Sequence, residues 1–154
     1  MGAFADAVNG RLREALAERR PRFEWEGEHP IAGTPVDVAG VPPDHLVAVE
    51  LEWRRADPAD NTAKLFRHLP EGPLDRERVS AFQGFTGYYD LASGGVSSKR
   101  RNAEFVGRVA ADSFGELSYH PVEFEMIPPK RGGERPDEWR EVADETAGHI
   151  AGSL

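Results

Sequence analysis

Residues 46–57 read LVAVELEWRRAD, an apolar strand with Glu50 and Glu52 set into it two residues apart. Successive side chains of a strand point to opposite faces. Val47, Val49, Leu51 and Trp53 therefore share one face, and Leu46, Ala48, Glu50, Glu52 and Arg54 share the other. Along such a strand the two carboxylates stand about 6.5–7 Å apart. Two unit charges at that separation repel by roughly 2 kcal/mol where the effective dielectric is near 20. Water on a wet edge strand, a captured proton or a cation between the carboxylates can each relieve that repulsion.

Working outward from this strand, "GVPPD" before it is a turn. Thr34 to Ala39 precedes the turn as a second short strand. At its centre Asp37 lies between Val36 and Val38, a lone carboxylate opposite two apolar side chains. The short link predicts that these strands pair as an antiparallel hairpin, which brings Asp37 close to Glu50 and Glu52. Three oxygen ligands of this kind suit Mg²⁺ or Mn²⁺. Such an ion can activate water and stabilise a phosphoryl transition state.

Further upstream, Ala3 to Arg19 predicts an amphipathic helix, with Phe4, Val8, Leu12 and Leu16 at helical spacing and Pro21 ending it. Arg22 to Glu26 alternates, with Phe23 and Trp25 on one face, and predicts a first strand. A turn through His29-Pro30 and Gly33 follows. Downstream, Asp57-Pro58 opens a helix as N-cap and first residue. That helix runs to about Leu69, closed by Pro70 and Gly72. Val79 to Tyr88 predicts a strand, "LASGGVSS" a loop, and Ser98 to Phe114 a helix whose buried side is expected to carry Phe105, Val106 and Val109. Leu117 to Ile127 is a further strand and "PPKRGGERP" a basic turn. Asp137 to about Ala151 is a last helix, with Trp139, Val142, Thr146 and Ile150 on one face. The predicted order is α-β-β-β-α-β followed by α-β-α, a mixed α/β or α+β domain. The expectation is a single domain over residues 1–154, long enough for a real core.

The composition narrows the function classes. The chain has no Cys, which excludes disulfides and thiolate metal sites. No apolar run approaches the roughly 20 residues of a membrane span, and the N-terminus lacks the apolar core of a signal peptide. A cytoplasmic protein without membrane contact is expected. The formal net charge is −8, and Lys64, Lys99 and Lys130 are the only lysines. An acidic, lysine-poor, arginine-rich chain suits a protein working in high salt, a halophilic signature. Screening is then short-ranged, so local basic patches matter more than the net sign. The five His show no zinc spacing, and neither a nucleophile elbow nor a dinucleotide fingerprint is present.

The order helix, three strands, helix, strand, with Pro35-Val36-Asp37 on the second strand and Glu50-Leu51-Glu52 on the third, resembles the PD-(D/E)XK, or restriction-endonuclease-like, nuclease superfamily. The resemblance covers about Ala3 to Tyr88. It implies an αβββαβ core with a mixed central sheet flanked by helices, here extended by a C-terminal α-β-α. It also implies a Mg²⁺- or Mn²⁺-dependent endonuclease acting on DNA, with Asp37, Glu50 and Glu52 as metal-binding, catalytic carboxylates. Two departures stand out. Pro35 is one residue further from the Asp than in the name-giving motif, and Glu52 sits where Lys is usual. Similar restriction enzymes carry Glu there, and others supply the Lys from the next helix. On this chain that implies Lys64 as the catalytic cation. Asn61, Lys64 and His68 share a stripe, read as facing the cleft, while Thr62, Leu65, Phe66 and Leu69 fill the other side. Glu14 and Glu18 lie on the first helix, which in similar nucleases can lend a carboxylate, though nothing in the spacing selects either.

Basic residues complete the reading. Arg54 and Arg55 could clamp a phosphate or pair with Asp57 and Asp60. Ser97 or Ser98 caps the helix that starts with Lys99, Arg100 and Arg101. Cations in a first turn oppose the helix dipole by about 0.3–1 kcal/mol each, and a bound phosphate reverses that. These five cations are the expected nucleic-acid contacts, with Lys130, Arg131 and Arg135 extending the surface. DNA is the expected partner, and a homodimer is left open. The rival expectation is a non-catalytic nuclease-fold protein that binds nucleic acid or a protein partner, and a third is a binding domain whose carboxylates are merely wet.

Overall fold

The computed structural model describes residues 2–31, 33–41, 43–71 and 78–154. Pro42 of the turn before the third strand, and Gly72 after the second helix, lie outside the described residues. The elements are α1 (Ala3–Arg19), β1 (Trp25–Ile31), β2 (Thr34–Gly40), β3 (His45–Glu52), α2 (Pro58–His68), β4 (Arg78–Phe85), α3 (Ser98–Ser113), β5 (Leu117–Glu123) and α4 (Trp139–Gly152). The strands form one mixed sheet in the order β1-β2-β3-β4-β5. β1, β2 and β3 run antiparallel in turn, while β3, β4 and β5 run parallel. The fold is α+β, with a five-stranded sheet flanked by helices on both faces.

β3 is the spine of this arrangement. Its alternation sends Val47, Val49 and Leu51 into a core with Phe4, Val8, Leu12 and Leu16 of α1 and with Trp139, Val142 and Ile150 of α4. Leu46 and Ala48 face the opposite core, with Leu65 and Phe66 of α2, Ala110 of α3, and Val79 and Ala81 of β4. A strand covered on both faces reads as a near-continuous apolar run, as this one does. α2 begins at Pro58, where the missing N–H of a first-turn residue costs nothing.

Three expectations are corrected. The first strand is not Arg22–Glu26 but Trp25–Ile31, and His29-Pro30 belongs to it rather than to a turn. Phe23 is buried before the strand starts, and Trp25 pairs with Gly40, packing so closely that a Cβ there would meet its ring at 2.9 Å. Pro30 is tolerated because β1 is an edge strand. The last strand ends at Glu123, and Ile127 stands 69% exposed beyond it. On α3, Phe105 is 68% exposed and Val109 47%, so the side expected to be buried faces solvent. The buried stripe is Arg100, Ala103, Gly107 and Ala110. Small residues win because the helix approaches the sheet closely: a Cβ on Gly107 would lie 2.4 Å from the Tyr119 ring.

Candidate functional site

The β2–β3 ladder pairs Gly40 with Val47, Ala39 with Ala48 and Val38 with Val49. The next rung would set Asp37 opposite Glu50, and there the backbone ladder stops. The Leu51 N–H instead donates to Asp37 Oδ2 at 2.9 Å. A side-chain carboxylate thus takes the place of a strand carbonyl, holding Asp37 where the strands part. Asp37 and Glu50 sit close enough to shift each other's ionisation, and the Asn9 side chain of α1 lines the same cleft as Asp37.

Burial and the negative charges of Asp37 and Glu52 push the Glu50 carboxyl up to about 9. Asp37 is also raised, by burial, against the opposing help of the Leu51 N–H, Glu50, Asn9 and Arg55. At neutral pH Glu50 therefore keeps its proton beside Asp37. Two carboxylates this close cannot both ionise unless a cation arrives.

Glu52 has a different environment. It is 2% exposed. Its Oε1 accepts from Asn61 Nδ2 at 2.6 Å and from Gln83 Nε2 at 3.0 Å, and its Oε2 lies 3.6 Å from Arg55 Nε. Gln83 Nε2 also donates to Thr62 Oγ1, and Gln83 Oε1 accepts from the Tyr119 hydroxyl at 2.7 Å. Burial raises Glu52 as well, opposed by Asn61 and Gln83. Among the described residues no group of three His, Cys, Asp or Glu side chains is spaced to hold a metal ion. Asp37 and Glu50 come together as a pair, and Glu52 is engaged in the network beneath α2.

The remaining candidate residues divide. Asn61 reaches Glu52, but Lys64 pairs with Asp60 at 3.3 Å, both side chains more than half exposed. His68, half-buried at the end of the stripe, has a ring nitrogen 3.3 Å from Arg67 Nη2. Arg54 Nη2 donates to the Pro128 carbonyl at 2.9 Å, and its guanidinium lies 6.0 Å from the Tyr88 ring. Lys99 is exposed, 5.3 Å from the same ring, and donates to the Tyr88 hydroxyl. Arg101 is exposed too. Arg100 points inward: it is 6% exposed, bound to Glu104 at 3.0 Å and Glu123 at 2.8 Å, and stacked on Phe85. Its expected phosphate contact is replaced by an internal ion pair, because its place in the first turn faces the sheet. Lys130, Arg131 and Arg135 join Arg54 and Phe4 around a groove of about 630 Å³.

Sequence reasoning missed the contribution of α1 beside Asp37. Asp6, Asn9 and Arg13, at three- and four-residue spacing, line a cleft of about 260 Å³ with Gly10, Gly27, Glu28 and Asp37. The signal was that polar stripe opposite Phe4, Val8, Leu12 and Leu16. Glu14 and Glu18, the acids considered on this helix, are exposed. Asn9 Oδ1 is shut off from solvent and accepts no hydrogen bond. No family model, no curated protein and no solved structure matches the chain.

Proposed function

We propose that the chain is a divalent-ion-dependent, restriction-endonuclease-like phosphodiesterase acting on DNA, with Asp37 and Glu50 at its centre. The observation that carries this reading is the juxtaposition of the Asp37 and Glu50 carboxyls where β2 and β3 part. The order α-β-β-β-α-β around it supports the same reading.

The donor set fits Mg²⁺ or Mn²⁺: carboxylate oxygens with a solvent cleft alongside, and in Asn9 Oδ1 a buried acceptor without a donor. Such an ion supplies Lewis-acid polarisation of a phosphoryl oxygen and a more acidic bound water. The chain's own residues then have defined tasks. Leu51 N–H fixes the Asp37 carboxylate. Glu50 releases its proton as the pair takes up positive charge. Arg55, half exposed and anchored by Glu52, and Arg54 are placed to hold phosphate oxygens. Lys64 can serve as the catalytic cation only by leaving Asp60.

No helix of the described residues is long and apolar enough to cross a membrane. A cytoplasmic location and a high-salt setting belong to this proposal, on composition alone. A specific observation favours the rival, non-catalytic reading: the position where Lys is usual is a carboxylate satisfied by Asn61 and Gln83. Incubation with supercoiled DNA separates the two. The proposal expects nicking that requires Mg²⁺ or Mn²⁺ and is lost in Asp37→Ala and Glu50→Ala. Intact DNA at both low and high salt, with binding retained, leaves the non-catalytic reading as the better one.

A further inference from the structure

Resting on the reading that the partner is DNA, we propose that the chain binds it as a single strand, in the groove of about 630 Å³ bounded by Arg54, Lys130, Arg131 and Arg135, with the Tyr88 ring stacking on an unpaired base. The chain as a whole is acidic, with 27 Asp and Glu against 19 Lys and Arg. Elsewhere its cations pair with its own acids: Arg11 with Asp144, Lys64 with Asp60, Arg100 with Glu104 and Glu123, Arg108 with Glu104. The four around the groove are exposed and have no carboxylate partner among the described residues, and no acidic side chain lines the groove. Two of them are held by neutral groups instead. Arg54 Nη2 donates to the Pro128 carbonyl at 2.9 Å, and the Arg135 guanidinium lies 5.2 Å from the Phe4 ring centroid. Both contacts fix a position and leave the positive charge uncompensated. Like charges gathered in a concave surface attract an anion that can meet several of them at once.

The surroundings of the groove say which anion. Arg54 follows β3, Tyr88 follows β4, and Lys130 to Arg135 lie in the segment after β5. Those strands are parallel, so all three connections leave the carboxyl ends of the strands, where open sheets gather ligands. Tyr88 is 41% exposed. Arg54 lies 6.0 Å from its ring and Lys99 5.3 Å, so cations flank an exposed aromatic and the patch runs on into the groove. Guanidinium forks match phosphate oxygens, and an aromatic ring stacks on the face of any base. In a duplex the base faces are already stacked on one another, so Tyr88 can engage only a base that is unpaired. An acidic peptide would use the cations and leave Tyr88 without a task.

The test is fluorescence anisotropy on the full chain with a labelled oligothymidylate, with EDTA present so that no metal-dependent cutting occurs. Wild type is expected to bind the single strand at least tenfold more tightly than a duplex of the same length, with a log–log salt slope of about −3 for four phosphates. Lys130→Ala, Arg131→Ala and Arg135→Ala combined should make that slope shallower by about 2. Tyr88→Leu should bind about tenfold more weakly with the slope unchanged, and Tyr88→Trp at least as tightly as wild type. All four substituted side chains are exposed, so the fold is untouched. Equal or tighter binding of the duplex overturns the proposal, as does an absence of binding at low salt. An unchanged slope in the triple variant, or a Tyr88→Leu variant that matches wild type, overturns it too. Polyglutamate displacing the oligothymidylate at equal charge overturns it in favour of a protein partner. A chain that binds the single strand as expected, yet leaves supercoiled DNA intact with Mn²⁺, fails the catalytic reading and leaves this proposal standing.

Discussion

Glu50 and Glu52 are two residues apart on one strand, point to the same face, and have opposite surroundings. Glu52 is enclosed by donors: two amides on one oxygen and a guanidinium near the other. Glu50 is flanked by acids, Asp37 across the split ladder and Glu52 along the strand, and it retains a proton up to about 9. A buried carboxylate surrounded by donors is scaffold. A half-buried carboxylate facing another carboxylate is a site waiting for positive charge.

The largest effect should come from breaking the scaffold member. Glu52→Ala removes the acceptor of the half-buried Asn61 amide and one of the two acceptors of Gln83 Nε2, which keeps Thr62, and a buried donor left unsatisfied costs about 1–3 kcal/mol. A loss of about 1–3 kcal/mol is expected in denaturant unfolding at pH 7. An unchanged midpoint would place Glu52 among the reactive groups rather than the structural ones.

Glu50 should respond to pH instead. The folded chain keeps its proton where the unfolded chain, titrating near the ordinary glutamate value, has lost it. Stability is therefore fully present below that value and falls as pH rises toward about 9. Between pH 6 and 8 the wild type should lose up to about 1.4 kcal/mol per pH unit, the slope for one proton. Glu50→Gln, which mimics the protonated acid, should flatten this decline and be the more stable chain at pH 8. Parallel pH profiles for the two proteins would remove the retained proton from the account.

Much of this contrast was legible in the sequence, and the illegible part has identifiable causes. Strict alternation in LVAVELE, and an Asp between two valines across a short turn, placed Asp37 beside Glu50 before any coordinates. The surroundings of Glu52 come from Gln83 and Tyr119, on strands reached only through parallel crossovers, and local pattern carries no information about that register. Arg100 looked like its neighbours Lys99 and Arg101, and only docking of α3 against β5 shows which of the three turns inward. The same docking uses Gly107 where size-based reasoning had chosen Phe105 and Val109. Asn9 itself carried no signal in the sequence, because an unsatisfied buried oxygen is a property of packing.

The smallest effect should come from Lys64. Its pair with Asp60 is exposed, and such i,i+4 pairs are worth about 0.3–0.5 kcal/mol. Lys64→Ala should leave the melting curve almost unmoved. A large loss of DNA nicking in that variant, with stability intact, would show that Lys64 swings away from Asp60 to supply the missing cation.

The comparison itself is tested most directly by Mn²⁺ titration calorimetry on Glu50→Gln and Glu52→Gln side by side at pH 7.5. Both substitutions keep size and remove a group able to ionise when a cation binds, and Glu52→Gln keeps an oxygen for Asn61 and Gln83. The account predicts that Glu50→Gln weakens Mn²⁺ binding about tenfold or more, while Glu52→Gln stays within about threefold of wild type. The reverse pattern, binding lost in Glu52→Gln and kept in Glu50→Gln, would contradict it.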